Sequence, residues 1–323
     1  MKISRELDIV VYGATGFTGR LVAEYLNQQY GVNGEVKWAM AGRSRDKLVA
    51  VRDEMGVGSD VPLIVADASD LESVNKMVAS TSVILTTVGP YQLYGNELVE
   101  ACAAQGTDYV DLCGEPAWMH KMIAAHSAAA EKSGARIVFS CGFDSIPFDL
   151  GVFFLQQHAV STFGSTVGRV KGRVRAMKGT MSGGTLASFK ETMAAAGRDR
   201  SLIGILRNPF ALTSGFEGAE QPLGNQPEYD EALQSWIAPF VMASINTKNV
   251  HRSNMLLGHS YGKDFVYDEM MVTGPGDKGE AIAKAVTEDT SMAKSSLQPG
   301  EGPSKEEREN GLYDVLMVGE HTD

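Results

Sequence analysis

Residues 8–20, DIVVYGATGFTGR, set an apolar, β-branched run directly against three glycines, Gly13, Gly16 and Gly19, with helical spacing following at once. A strand that turns this sharply into a helix needs backbone that can take positive φ and approach its neighbours closely, which glycine permits. The same alternation of textures recurs. From Leu7 to about Phe139 the runs LDIVVY, EVKWAMA, VPLIVA, SVILTTV, DYVDL and ARIVFS are separated by helical spacing over 17–30, 46–54, 71–79, 93–105 and 118–132. Gly31, Gly106 and Gly134 stand just past three of these helical segments, where a left-handed cap belongs. Six strands with five intervening helices predict an α/β domain, a doubly wound parallel sheet covered on both faces.

After CGFDSIPFDLG the texture changes. TVGRVKGRVRAM alternates apolar and polar residues, as a half-exposed antiparallel strand does. GGTLASFKETMAAAG has the spacing of a helix that opens on glycine and Thr185, and SGFEGAEQPLGNQPEYDE is a Gly/Pro-rich loop. KDFVYDEMMVTG is another strand, SLQPGEGPSKEEREN a mobile connection of turn residues and charge, and LYDVLMV a last strand. The expected organisation is a Rossmann domain over 1–145, then an α+β substrate domain with a mixed or antiparallel sheet over 146–323.

Composition bounds the partners. At 323 residues, 43% apolar and 21% charged, the chain has the make-up of a soluble globular protein. No apolar run approaches the roughly 20 residues of a membrane span. MKISRELD enters a strand pattern immediately and leaves no room for a leader. Cys102, Cys113 and Cys141 read as reduced thiols of a cytoplasmic protein. A net charge of −11 disfavours nucleic acid and anionic membrane as bulk partners, so a phosphate-bearing ligand needs a local device. A homodimer and peripheral membrane contact stay open.

The glycine turn is that device. In a Rossmann unit the first glycine makes the tight turn, the second admits the pyrophosphate, and the third lets helix and strand pack. Gly13, Ala14, Thr15, Gly16, Phe17, Thr18 and Gly19 then place a helix amino terminus, with its N–H donors and dipole, against the phosphates. The alternative is a purely structural turn. The second strand ends in AMAGRSRDKL, with Arg43, Ser44, Arg45 and Lys47 and no carboxylate before Asp46. A guanidinium meets a 2′-phosphate in a fork of charge-assisted bonds, so Arg43, Ser44 and Lys47 predict NADP(H) over NAD(H). The competing reading is a solvated basic start to the second helix. Asp67, after the third strand, suits either the adenine amino group or the cap of the next helix. Val88, Gly89, Pro90 and Tyr91 end the fourth strand, where the turn is expected to pass under the nicotinamide ribose.

With GATGFTGR, AGR, TTVGPY, DYVDLCGE and CGFDSIPFDLG in this order, the chain resembles the saccharopine dehydrogenase-like oxidoreductases. SGGT at 182–185 and PGEGPSKEERENG at 299–311 look like the branch of the trans-acting enoyl reductases of bacterial lipid and glycolipid assembly. The resemblance implies an NADP(H)-binding Rossmann domain joined to a larger α+β domain whose sheet closes over the nicotinamide. It also implies reduction of an acyl enoyl group or an amino-acid imine. Family members usually continue past the position of VGEHTD, whereas this sequence ends at Asp323.

Hydride transfer asks the protein for positioning and a proton source, since the cofactor carries the electrons. Asp144 and Ser145 could hold the carboxamide or relay a proton; equally, one of them caps the helix of FDLGVFFLQQ with Pro147 in its first turn. Tyr91 is either a proton donor or a packed aromatic, and Tyr94 shares that ambiguity. Glu115 either orients a substrate or begins a helix. Cys113 reads as a core thiol, the six histidines are scattered, and no metal-ligand spacing appears. The function expected is an NADP(H)-dependent oxidoreductase, the alternative a nicotinamide-binding sensor without turnover.

Overall fold

The computed structural model describes residues 5–32 and 34–321. The first four residues, on which the expectation of no leader partly rests, and Asp323 lie outside them. The chain folds as two compact units. One holds the residues up to Gly142 together with Met181–Ala195 and Leu297–Gly302. The other holds Phe143–Thr180, Ala196–Ser296 and the residues from Pro303 on.

The first unit runs β1 (Leu7–Tyr12), α1 (Phe17–Tyr30), β2 (Trp38–Gly42), α2 (Arg45–Glu54), β3 (Leu63–Val65), α3 (Leu71–Ser80), β4 (Thr81–Thr86), α4 (Tyr91–Tyr94), α5 (Asn96–Gln105), β5 (Asp108–Val110), α6 (Pro116–Ser133) and β6 (Ile137–Val138). Its six strands lie in the order β3-β2-β1-β4-β5-β6, every pairing parallel. This is the Rossmann order, with the reversal between β1 and β4. The spacing over 93–105 reads as one helix, but Gly95 divides it. A Cβ at Gly95 would stand 2.6 Å from the Trp118 ring and 2.8 Å from the Tyr91 carbonyl, so the two short helices meet where only a glycine fits. Val11, Met40, Leu48 and Val51 are buried in one cluster between sheet and helices. Each such side chain contributes about 1.5–3 kcal/mol on burial.

The second unit begins with α7 (Ile146–Phe163) and β7 (Arg169–Lys178). The following α8 (Gly183–Arg198) lies with the first unit up to Ala195. Then come α9 (Ser201–Arg207), β8 (Glu228–Asp230), β9 (Ser235–Pro239), α10 (Ala243–Leu256), β10 (Val266–Gly274), α11 (Gly276–Glu288), α12 (Ser291–Lys294), α13 (Lys305–Glu309) and β11 (Leu312–Glu320). The sheet order is β11-β7-β10-β9-β8, and the sheet is mixed because β7 pairs parallel to β10 and antiparallel to β11. The alternation in β7 suggests a wetted face, yet Arg173 is 2% exposed. Its guanidinium binds Asp230 at 3.3 Å and Asp268 at 2.8 Å, and this pairing lets the polar side of the strand be buried. The segment read as a mobile connection is also built in. Ser304 and Glu307 cap α13 reciprocally, and Leu297–Gly302 packs with the first unit. Among the described residues no helix is long and apolar enough to cross a membrane.

Candidate functional site: a phosphate cradle and a buried acid cluster

The turn after β1 is tied to the tip of β2. The amides of Gly13 and Ala14 donate to the Ala41 carbonyl at 3.0 and 3.1 Å, and Gly16 donates to Gly13 at 2.9 Å. Gly13 and Ala14 therefore shape the turn, and their amides do not face a ligand. Ala14 is fully buried in the core, which corrects its place among the cofactor contacts: its methyl packs inward. Gly13 takes φ +93°, and a Cβ there would also meet Thr87 and Val88 at 2.8 Å. At Gly19 a Cβ would stand 2.1 Å from the Gly13 carbonyl oxygen, so helix and turn touch through this glycine.

No side chain caps α1. Its N-cap is Gly16, and its first turn carries no acid. The first-turn amides of a helix have no carbonyl four residues back to reach. Other helices of the unit fill that need with side chains. Ser44 accepts from the Lys47 amide at 3.4 Å, and Asp70 accepts from Glu72 and Ser73 at 3.1 and 3.3 Å. Thr15 and Thr18 stand half-buried at the mouth of the uncapped turn, beside Phe17.

Arg43, Arg45 and Lys47 are exposed at the tip of β2, and no salt bridge among the described residues engages Arg43. Ser44 caps α2 through its oxygen lone pair, which leaves its hydroxyl proton available to an anion. At the tip of β3, Asp70 holds the helix cap, which corrects that reading of Asp67. Asp67 Oδ1 instead accepts from the Ser69 amide at 2.9 Å and its hydroxyl at 2.7 Å. Those bonds, with Arg43 nearby, hold its carboxyl below the usual range. Burial, then the Asp67 charge, pushes the phenol of Tyr12 beneath them up to about 12.

Val88 and Gly89 are half-buried after β4, and the Gly89–Pro90 peptide is cis. Tyr91 does not present its hydroxyl. The group donates to the Thr86 carbonyl at 3.3 Å, accepts from the Leu112 amide at 3.3 Å, and burial raises its pKa well above 10. The packed aromatic is the role the geometry gives it, and its ring lies 5.5 Å from that of Trp118. Glu115 is 1% exposed and accepts from the Tyr91 and Gln92 amides at 2.8 and 2.9 Å. It therefore caps α4 from the end of the loop that follows the neighbouring strand, β5. Asp111 binds the Cys113 and Ser140 amides and the Tyr109 hydroxyl, while burial pushes its carboxyl up to about 7.

The saccharopine dehydrogenase NADP binding domain model matches residues 9–138, the whole span of this cradle. A relative in Mycobacterium tuberculosis (H37Rv) is 40% identical over 338 residues, covering 96% of this chain and 80% of its own length. The trans-acting enoyl reductase of Mycobacterium ulcerans (Agy99) is 38% identical over 337 residues, with the same coverage. The chain belongs to the saccharopine dehydrogenase-like oxidoreductases, in the trans-acting enoyl reductase branch. Among solved structures, apo saccharopine dehydrogenase (L-Glu forming) of Saccharomyces cerevisiae aligns at TM-score 0.38 and 16% identity, over 54% of this chain and 35% of that one.

This saccharopine dehydrogenase-like chain uses NADP(H), and the cradle fits that cofactor. A helix start without a side-chain cap suits a pyrophosphate, and an exposed guanidinium at the tip of β2 suits a 2′-phosphate. Within the second unit, Ser145 occupies the N-cap of α7 without a side-chain cap bond, and Pro147 lies in the first turn. Asp144 is half-buried, and burial holds its carboxyl above the usual range.

Sequence reasoning missed what lies near Asp144. Asn246 on α10 donates to the Asp144 carbonyl at 3.0 Å and to Glu269 Oε2 at 2.9 Å. Tyr267 donates to Glu269 Oε1 at 2.9 Å. The buried Asn246 Oδ1 and Tyr313 Oη have no hydrogen-bond partner among the described residues. Burial, then the charges of Glu269 and Asp144, raises the Tyr313 phenol above its ordinary range. The signal available was DEMM in KDFVYDEMMVTG, where strand alternation puts one acid of the pair on the side packed by helices.

Burial pushes Glu269 from 4.5 up to about 8. Its folded pKa thus lies above its unfolded one, so the folded state keeps a proton that the unfolded chain gives up between about pH 4.5 and 8. Stability from this group is full below that window and falls as pH rises through it. Glu269→Gln keeps a neutral, similarly shaped group, and its thermal midpoint should decline less between pH 5 and 8 than the wild type's. Parallel decline in both proteins, followed by calorimetry across that range, contradicts the assignment.

Proposed function

We propose that the chain reduces the C=C bond of an enoyl thioester with NADPH, the substrate being presented by another protein. The names of relatives 37–40% identical over nearly the whole chain support the enoyl group and the action in trans. The observation that carries the cofactor side is the uncapped start of α1 beside Arg43. First-turn amides of α1 and the Thr15 and Thr18 hydroxyls bind the pyrophosphate. Arg43, Ser44 and Lys47 bind the 2′-phosphate, and Asp67 Oδ2 meets the adenine amino group. The turn from Val88 to Tyr91 supports the nicotinamide ribose.

NADPH, when bound, supplies the hydride that the β-carbon of the thioester gains. The α-carbon gains a proton, leaving a saturated chain and the oxidised nucleotide. Asp144, kept protonated more readily by burial, supplies or relays that proton, and Ser145 orients the substrate. Asn246 and Glu269 hold the backbone and electrostatics around Asp144. The reading includes a cytoplasmic location, consistent with the buried thiols of Cys102 and Cys113, neither of which is in a disulfide.

The test follows nicotinamide absorbance with crotonyl and longer enoyl thioesters, free and carrier-bound, and with cyclic imines for contrast. Enoyl-dependent oxidation is expected, and Asp144→Asn should lower kcat by about 10²- to 10⁴-fold with NADPH affinity unchanged. Consumption of imines alone overturns the C=C assignment. Tight NADPH binding with no substrate consumed points to the sensor.

A further inference from the structure

Two segments far along the chain pack with the cofactor-binding unit, and they are joined to each other. The Gly183 amide at the start of α8 donates to the Glu301 carbonyl at 2.9 Å. A Cβ on Gly183 would stand 1.8 Å from the Gln298 carbonyl oxygen, so the junction is backbone against backbone. Within the loop, Glu301 donates its amide to the Gln298 carbonyl at 3.0 Å, and its carboxylate accepts from the Gln298 amide at 2.8 Å. The start of α8 and the strap Leu297–Gly302 therefore form one closed piece.

That piece touches both banks of the cradle. On one bank, a Cβ at Gly302 would meet the Phe17 ring at 2.6 Å, and Phe17 is the first residue of α1. On the other bank, the Ser188 hydroxyl lies 3.3 Å from where a Cβ on Gly89 would sit, and Gln92 reaches Thr192 at 3.5 Å. Phe17 flanks the pyrophosphate turn and Gly89 the turn after β4, on either side of the β1–β4 reversal where a dinucleotide lies. None of these contacts follows from residues 5–142 alone.

We infer that the strap Leu297–Gly302 and the start of α8 form a third wall of the NADP(H) site, positioned by Phe17–Gly302 and Gly89–Ser188 and closing over the pyrophosphate and nicotinamide ribose. The inference rests on the reading that the glycine turn holds NADP(H). It adds Ser188 and Gly302 as positioning residues for the cofactor, with Phe17 of the glycine turn as the anchor of the strap, and it gives the motifs SGGT and PGEG one shared task.

Amide hydrogen exchange of the whole chain, with and without NADPH, tests this. NADPH should slow exchange at least about tenfold over 182–188 and 298–302, as it does over 15–20, while Val266–Gly274 in the second unit stays unchanged. Gly183→Val, which parts the strap from α8, and Gly302→Val, which displaces the strap from the Phe17 ring, should each weaken NADPH binding about tenfold or more. Protection confined to 15–20, or NADPH affinity within twofold of wild type in both variants, overturns the third wall and leaves the glycine turn standing. Failure of the wild-type chain to bind NADPH overturns the cofactor reading itself, and the wall with it.

Discussion

Gly19→Ala is expected to abolish measurable NADPH binding and to lower the thermal midpoint by roughly 6–12 °C. The added methyl would stand 2.1 Å from the Gly13 carbonyl oxygen, 2.7 Å from its carbon and 2.9 Å from the Ala14 Cα. All three are backbone atoms of a turn fastened to Ala41, so no rotamer change relieves the clash. Either α1 moves away from the sheet or the turn opens. Overpacking of this kind costs about 3 kcal/mol or more, and each kcal/mol moves the midpoint of a domain this size by a few degrees. The amides that face the phosphates shift with the helix, so affinity is lost even in the fraction that stays folded. Scanning calorimetry together with NADPH titration reads both effects. Wild-type affinity in this variant would show that the packing of α1 on the turn does not build the site.

Arg43→Ala is expected to weaken NADPH binding by about 10- to 100-fold and to change NADH binding by no more than about twofold. A charge-assisted contact to a phosphate contributes about 1.5–3 kcal/mol, and 1.4 kcal/mol is a tenfold change in affinity. Arg43 is exposed and in no salt bridge among the described residues, so its removal breaks no internal pair and the midpoint should hold. Ser44→Ala differs, because Ser44 also caps α2: it should weaken NADPH binding and cost about 1 kcal/mol of stability. Fluorescence titration with both nucleotides separates the two variants. An unchanged preference for NADPH in Arg43→Ala contradicts the assignment of the 2′-phosphate.

Where local pattern decides structure, the sequence is transparent. The span of α1, Phe17–Tyr30, follows from helical spacing bounded by Gly16 and Gly31, and the parallel sheet follows from six short runs with helices between them. The family shows in motifs that keep their order, and the cofactor in the basic tip of β2. What stays hidden depends on partners distant in the chain. Nothing near Tyr91 says that its hydroxyl meets the Leu112 amide, because Leu112 arrives on the loop after β5. Arg173 looks like the wet side of a strand until Asp230 and Asp268 appear beside it. PGEGPSKEEREN has the composition of a mobile loop, and only the fit of Gly183 on Gln298 and of Gly302 on Phe17 fixes the strap. Glu269 stands beside Asp268 in one strand, and nothing in that strand announces that Asn246 arrives from α10 to donate to it.

The claim at the centre of this account is that an uncapped helix start and a neighbouring guanidinium hold a 2′-phosphorylated dinucleotide. Calorimetric titration of the folded chain with NADPH, NADP⁺ and NADH tests it most directly. Saturable binding of both phosphorylated forms, at least about tenfold tighter than NADH, is the result predicted. No heat with any of the three, or tighter binding of NADH, would contradict it.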